Sequence, residues 1–510
     1  MKQFVSYRTV SSDPKYKADC HRGAAHLRAV FKSFGATTET LSTDESYNPV
    51  ILARFRGNPA TRANRKTILF YGHYDVIPAD DQQRKWIVDP FNMQGIDGYL
   101  YGRGASDNKG PIMAAIYAAA ELNAEQALDS DIVFLIEGEE ECGSRGFAKV
   151  IQQNKHLVGH IDWILIANSY WLDDYNPCLT YGLRGVIHAT VQIESRHPDL
   201  HSGVDGSALL DESLKDLVML LAKLTGTHGV VNIPGFYEPI LKLTEAEEQH
   251  YADITRTLLE RNPSLGDPEV LAMSLMRRWR EASLTIHRFT TSGPENSTII
   301  PRLARAAISV RLVPNQTAAE IAESLVNFLE TEFEQLGSQN KLSINIDLQA
   351  EPWLGDFNNE MYKTLEKAIM DVWGPFQRRR SSAPAVRAVF DGVLDSTTFK
   401  SVPATSSTLA NSSAIPENDS DDDSKPNHLS EAEGDRVDPP SSIRRPLYIR
   451  EGGSIPAIRF LEKEFNAPAA QLPCGQASDN AHLDNERLRL VNLYKSKEIF
   501  KRVFRDLPKK

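Results

Sequence analysis

Cysteine is scarce in this chain of 510 residues, which holds only Cys20, Cys142, Cys178 and Cys474. No two of them form a CxxC pair, so a thiolate zinc module is excluded, and their wide scatter gives no disulfide framework. Excess positive charge is absent too. With 57 Lys and Arg against 68 Asp and Glu, the formal net charge is −11. That balance argues against nucleic acid or an anionic membrane as the main partner. No apolar run reaches the roughly 20 residues that span a bilayer. The opening residues, Met1 to Tyr7, lack the apolar centre of a signal peptide. Together these absences lead to the expectation of a cytoplasmic enzyme.

What is present is ordinary for a globular protein: 41% hydrophobic and 25% charged residues. At this length one hydrophobic core does not suffice, and two or more domains are expected. Ala18 to Phe34 has helical apolar spacing and stops at Gly35, a suitable C-cap. Val50 to Phe55 and Thr67 to Tyr71 read as strands, and Gly110-Pro111 opens an alanine-rich helix through Leu122. Asp131 to Ile136 and Ile161 to Ile166 are nearly continuous apolar runs, as in strands buried on both faces. Such strands alternating with helices predict an α/β domain with a mostly parallel sheet, whose strand carboxyl ends hold the ligands.

After Gly185 the pattern changes. Val186 to Glu194 alternates, Ala208 to Leu224 is amphipathic, and Leu284 to Phe289 and Ala306 to Leu312 resemble paired strands. A helix at Ala318 to Leu336 and a strand at Leu342 to Leu348 complete a ferredoxin-like α+β order, read as a smaller inserted domain. The predicted division is 1–184, 350–375 and 447–510 for the first domain, and 185–349 for the insertion. Residues 376–446 run from Arg378-Arg379-Arg380 into a Ser-, Pro- and acid-rich stretch and are expected to be a disordered surface insertion.

Three short strings carry the chemistry: Gly72-His73-Tyr74-Asp75, Gly104-Ala105-Ser106-Asp107-Asn108-Lys109-Gly110, and Glu139-Glu140-Glu141-Cys142-Gly143-Ser144. Each follows an apolar stretch or a glycine-rich turn, which places it in a loop. Zinc accepts imidazole nitrogen and carboxylate oxygen. A two-metal hydrolase needs a ligand, a bridging carboxylate and a free carboxylate that activates water. Asp107 also suits a helix start, and an acidic run is as often a solvated loop.

The run Tyr71 to Pro78, with Gly102 to Gly110 and Glu137 to Ser144, resembles the aminoacylase, carboxypeptidase-G and carnosine-dipeptidase family of di-zinc metallopeptidases. Tyr181 to Gly185, Asp199 to Gly203, Arg311 to Pro314, Arg450 to Pro456 and Asp479 to His482 agree with its dipeptidase branch. Within that branch the likeness runs to the large peptidase-like subunit of a fungal glutathione-degrading complex. The resemblance implies two divalent ions, zinc first and manganese as the alternative, in a zinc-peptidase catalytic domain with an inserted lid and dimerisation domain. It implies His73, Asp107, Glu141 and His482 as ligands, Asp107 as the bridge, Glu140 as general base and Asp75 behind His73. Asn168 stands where the family has Asp or Glu. Its neutral amide predicts weaker binding of the first ion, a single ion, or a different one; a structural amide is the alternative. His201 is implied to reach the partner subunit's site in a homodimer. Arg311, Ser454 and Asn296 are implied to hold the substrate, although Arg311 also suits an ordinary strand face. The activity implied is amide hydrolysis in a small peptide, in glutathione or Cys-Gly breakdown. The alternative is a subunit that depends on an amidotransferase-like partner. That relative carries an amino-terminal WD-repeat propeller, which this chain is expected to lack or to have been separated from.

Overall fold

The computed structural model describes residues 1–42, 44–60, 65–79, 85–205, 210–374 and 445–507. The expected insertion at 376–446 lies outside the described residues, except for its last two positions. The larger sheet has nine strands. Its order is Thr37–Leu41, Val50–Phe55, Asp131–Glu137, Thr67–His73, Trp163–Ile166, Ala469–Gln471, Cys178–Leu183 and Trp353–Leu354, and Leu447–Glu451 also pairs with Cys178–Leu183. The middle strands, from Asp131–Glu137 to Ala469–Gln471, run parallel, whereas antiparallel pairs close the flanks. The parallel reading therefore holds for the centre of the sheet, where both faces are covered.

Strand alternation sends Phe70 and Tyr71 to opposite faces. Phe70 meets Phe134 and Phe500 on one side, and Phe134 meets Phe31 there. Tyr71 packs on Phe147, which packs on Phe460, on the other. The helices Lys17–Ser33 and Leu490–Asp506 thus cover one face, and Phe147–Gln153 and Pro456–Phe465 the other. Each ring so buried contributes roughly 1.5–3 kcal/mol.

A second sheet has four antiparallel strands in the order Ser283–Thr291, Leu303–Leu312, Gly185–Glu194 and Lys341–Ala350. The helices Ser213–Ala222 and Ala318–Leu336 bury Ile187, Val191, Ile308 and Val310 against Leu217, Leu221 and Leu325. This is the ferredoxin-like order. The helix expected over Ala208 to Leu224 is shorter than its amphipathic stretch, and part of that stretch lies outside the described residues. Two helices that the pattern reading did not expect, Glu245–Arg261 and Pro268–Arg280, leave this unit and return to the nine-stranded sheet. There Tyr251, Leu275 and Trp279 pack with Trp171, Cys178 and Ile449. Glu247 fastens them by accepting Arg450 Nη2 at 2.8 Å and Arg280 Nε at 3.3 Å. Among the described residues no helix is long and apolar enough to cross a membrane.

Candidate metal centre

The carboxyl ends of the parallel strands carry two of the three strings, and the third, Gly104 to Gly110, leads into the helix Lys109–Ala124. Thr67–His73 ends on His73 itself, Asp131–Glu137 runs into the turn Glu140–Cys142, and Trp163–Ile166 delivers Asn168. Gly72 permits a close approach: a Cβ there would lie 2.8 Å from both Asn108 Oδ1 and Ile112 Cγ1. The loop bearing Asp107 is fastened from far along the chain. The buried Glu486 carboxylate accepts Arg103 Nη1 at 2.8 Å, Gly104 N at 2.9 Å, Ser106 N and Oγ at 3.0 Å, and Asp107 N at 3.1 Å.

Asp107 lies between the two histidines. Its Oδ1 is 3.1 Å from His73 Nε2, and its Oδ2 is 3.3 Å from His482 Nε2. Glu141 Oε2 stands 3.1 Å from His482 Nε2, and Glu140 Oε2 is 3.9 Å from His73 Nε2. Ligand atoms bound to one ion at about 2.0–2.2 Å stand roughly 3–3.5 Å from each other. The imidazole–carboxylate separations fit that spacing. Ligand atoms of His73, Glu140 and Glu141, and of Asp107, Glu141 and His482, each lie within 4.8 Å of one another. The donors are nitrogen and oxygen of the type that divalent cations take, so these residues fit a cation pair with one Asp107 oxygen toward each.

Asp75 supports this cluster from behind. Its carboxylate is 3.4 Å from His73 Nδ1 and accepts Glu140 N at 3.2 Å, Glu141 N at 3.0 Å and Ser11 Oγ at 2.7 Å. One buried group thereby sets the His73 ring and the acidic turn together. Asn168 also reaches the cluster, but it presents nitrogen: Nδ2 lies 3.5 Å from His73 Nε2 while Oδ1 accepts the amide of Ser169. An oxygen ligand there requires the amide turned over.

Burial pushes Glu140 well above the usual carboxylate range, and the charges of Glu141, Asp107 and Asp75 add to this against His73. Burial raises Glu141 as well. Hydrogen bonds to Asp107 and Glu141 push His482 up to about 10. For His73, burial acts downward, but the charge of Glu140 and the hydrogen bonds to Asp107 and Asp75 outweigh it, leaving the imidazole well above its ordinary value. At pH 7 the cation-free cluster therefore holds a proton on the His482 imidazole, whose nitrogen a cation needs bare. Cation binding is expected to release protons, and apparent affinity to rise as pH increases from 7 toward 10. Calorimetric titration in buffers of different ionisation enthalpy measures this; a heat independent of buffer contradicts it.

The remaining expected residues lie elsewhere. His201 is exposed in the strand Leu200–His201, where its ring Nδ1 accepts Gly203 N at 3.2 Å. Asn296 is exposed and accepts Thr298 N and Oγ1 at 3.0 and 2.9 Å. Arg311 is half-buried on the four-stranded sheet, and Ser454 is half-buried before the helix Pro456–Phe465. No hydrogen bond or ion pair among the described residues ties these four to the cluster. Sequence reasoning missed three residues that the structure places around it: Glu486, Ser11 and the half-buried Glu451, which accepts Ser169 Oγ at 2.7 Å. Only Glu451 carried a signal, because it stands inside the string Arg450 to Pro456.

A parallel sheet with imidazoles and paired carboxylates at its strand ends defines a metal-dependent hydrolase. The chain belongs to the peptidase family M20/M25/M40, whose sequence pattern matches residues 69–407. It is 36% identical to the "Probable di- and tripeptidase DUG2" of Saccharomyces cerevisiae over 99% of its own length, and it spans 50% of that protein. It is 34% identical to the mouse "Beta-Ala-His dipeptidase", over 68% of this chain and 71% of that one. The solved structure of the di-peptidase Dug1p from Saccharomyces cerevisiae superposes with a TM-score of 0.72 at 26% identity, covering 99% of this chain and 95% of that one. The family resemblance read from the motifs, and with it the metallopeptidase class, is borne out.

Proposed function

We propose that this chain hydrolyses the amide bond of dipeptides or small peptides with two divalent cations, zinc foremost and manganese as the alternative, in cytoplasmic Cys-Gly and glutathione breakdown. The observation that carries the reading is Asp107, whose two oxygens face two different histidines while Glu140 stands 3.9 Å from one of them. Asp107 would bridge the cations, with His73 on one and His482 and Glu141 on the other; Asn168 would join the first if its amide turned. Bound there, such cations supply Lewis acidity that makes water easier to deprotonate and a peptide carbonyl easier to attack.

The rest of the chemistry falls to the chain. Glu140, held in place through its backbone amide by Asp75, accepts a proton from the attacking water and returns it to the leaving amine. Arg311 and Ser454 hold the substrate's carboxylate, and Asn296 adds a polar contact. His201 is exposed on the inserted unit, which suits a role in the site of a second copy, where it would stabilise the developing oxyanion. That role would need a homodimer formed through the lid.

The nitrogen that Asn168 offers to the cluster favours a second reading, a subunit with a weakened cation site that acts only with an amidotransferase-like partner. Metal stoichiometry, with Cys-Gly and glutathione assays in the presence and absence of that partner, separates the two. Two ions and Cys-Gly turnover by the chain alone are expected for the first. Glutathione turnover seen only with the partner supports the second, and a chain that binds no metal refutes both.

A further inference from the structure

Away from the cation cluster, a group of basic side chains lies where the four-stranded sheet leaves the larger one. Burying Ile187, Ala189 and Val191 under the helices sends His188 and Thr190 to the face away from them, and burying Ile308 and Val310 does the same for Ser309 and Arg311. The register sets Arg311 opposite Val186 and Ser309 opposite His188, and His287 Nε2 is 2.7 Å from Ser309 Oγ. Arg184 immediately precedes this strand, at the same end as Arg311.

Arg184 rests on the loop that contains Ser454. Its Nε donates to Gly452 O at 3.3 Å and its Nη1 to Glu281 O at 3.3 Å, and a Cβ on Gly452 would lie 3.0 Å from Nη2. Both partners are carbonyls, which satisfy donors without neutralising the charge. Among the described residues neither Arg184 nor Arg311 forms an ion pair, and both are half-buried. The register sets Leu312 opposite Gly185, next to Arg184; burial, and after it the charge of Arg311, lowers Arg184 to about 10, and burial lowers Arg311. Two like charges drawn partly out of water without a counter-ion are costly unless an anion completes the arrangement. The pair also lies one loop from the cation-site cluster: Gly452 follows Glu451, which accepts Ser169 Oγ at 2.7 Å, and Ser169 follows Asn168 beside His73.

We infer that Arg184 joins Arg311 in a paired-guanidinium subsite for the leaving half of the substrate, selecting peptides whose carboxyl-terminal residue bears a second carboxylate. This rests on the peptidase reading above. Arg311 takes the terminal carboxylate and Arg184 the side-chain carboxylate of an aspartyl or glutamyl residue, each by charge-assisted hydrogen bonds.

The test compares kcat/KM of the cation-loaded full chain for Ala-Asp with that for the isosteric neutral peptide Ala-Asn. A preference of about tenfold or more for Ala-Asp is expected. In Arg184→Met the ratio should fall to about one, and Arg184→Lys should restore part of it. Equal rates in the parent, or a ratio preserved in Arg184→Met, overturn the subsite. If neither peptide is hydrolysed, the peptidase reading fails by itself, and calorimetry with glutarate against its monoamide decides the subsite instead. Tighter binding of glutarate that is lost in Arg184→Met supports it; no difference rejects it.

Discussion

Glu140→Gln is expected to lower kcat for dipeptide hydrolysis by about 10²–10⁴-fold while the protein keeps its divalent cations. The replacement preserves shape and the backbone contact between Glu140 N and Asp75 Oδ1 at 3.2 Å, so the turn keeps its geometry. What it removes is a group able to accept and then return a proton. Glu141→Gln should behave differently, because Glu141 faces His482 at 3.1 Å and its loss should empty the second position. Steady-state rates together with metal content per chain read both variants. If Glu140→Gln kept full turnover, the general base would have to be sought elsewhere.

The second large effect is on stability. Glu486→Ala is expected to cost roughly 3–5 kcal/mol, measured by urea unfolding of the cation-free protein, because it leaves Arg103 buried and unpaired. Arg103 and Glu486 have side chains that are each 1% exposed and meet at 2.8 Å, and the same carboxylate gathers three backbone amides of the Gly104–Asp107 loop. Cation affinity should fall with stability, since Asp107 N is one of those amides. Replacing both partners, Arg103→Met with Glu486→Leu, should recover much of the stability but not the affinity, because the loop loses its acceptor. A Glu486→Ala loss below about 1 kcal/mol would show that water replaces the ion pair.

Much of the fold was legible because its signals are local. The runs Ile68 to Tyr71 and Ile132 to Ile136 are apolar without interruption, and the helix Ala318–Leu336 occupies the span its period predicted. The two unexpected helices carried local signals that were passed over. Thr244 accepts Glu247 N, and Asp267 accepts Glu269 N and Val270 N with Pro268 in the first turn, which are ordinary helix starts. Their sequences are highly charged, so the apolar stripe is thin. The surface it meets, around Trp171 and Ile449, exists only once the sheet has formed.

By itself, the sequence determined which residue types end the strands, and so that imidazole and carboxylate would meet at one edge of a parallel sheet. Strand period, glycine at Gly72 and acids after an apolar run are properties of neighbouring residues, and they survive in a one-dimensional reading. Tertiary structure alone decided that Asp107 faces both histidines, that Glu486 holds its loop from nearly four hundred positions away, and that Asn168 offers nitrogen. Those outcomes depend on which distant donor lies within hydrogen-bond reach, and reach is fixed by packing.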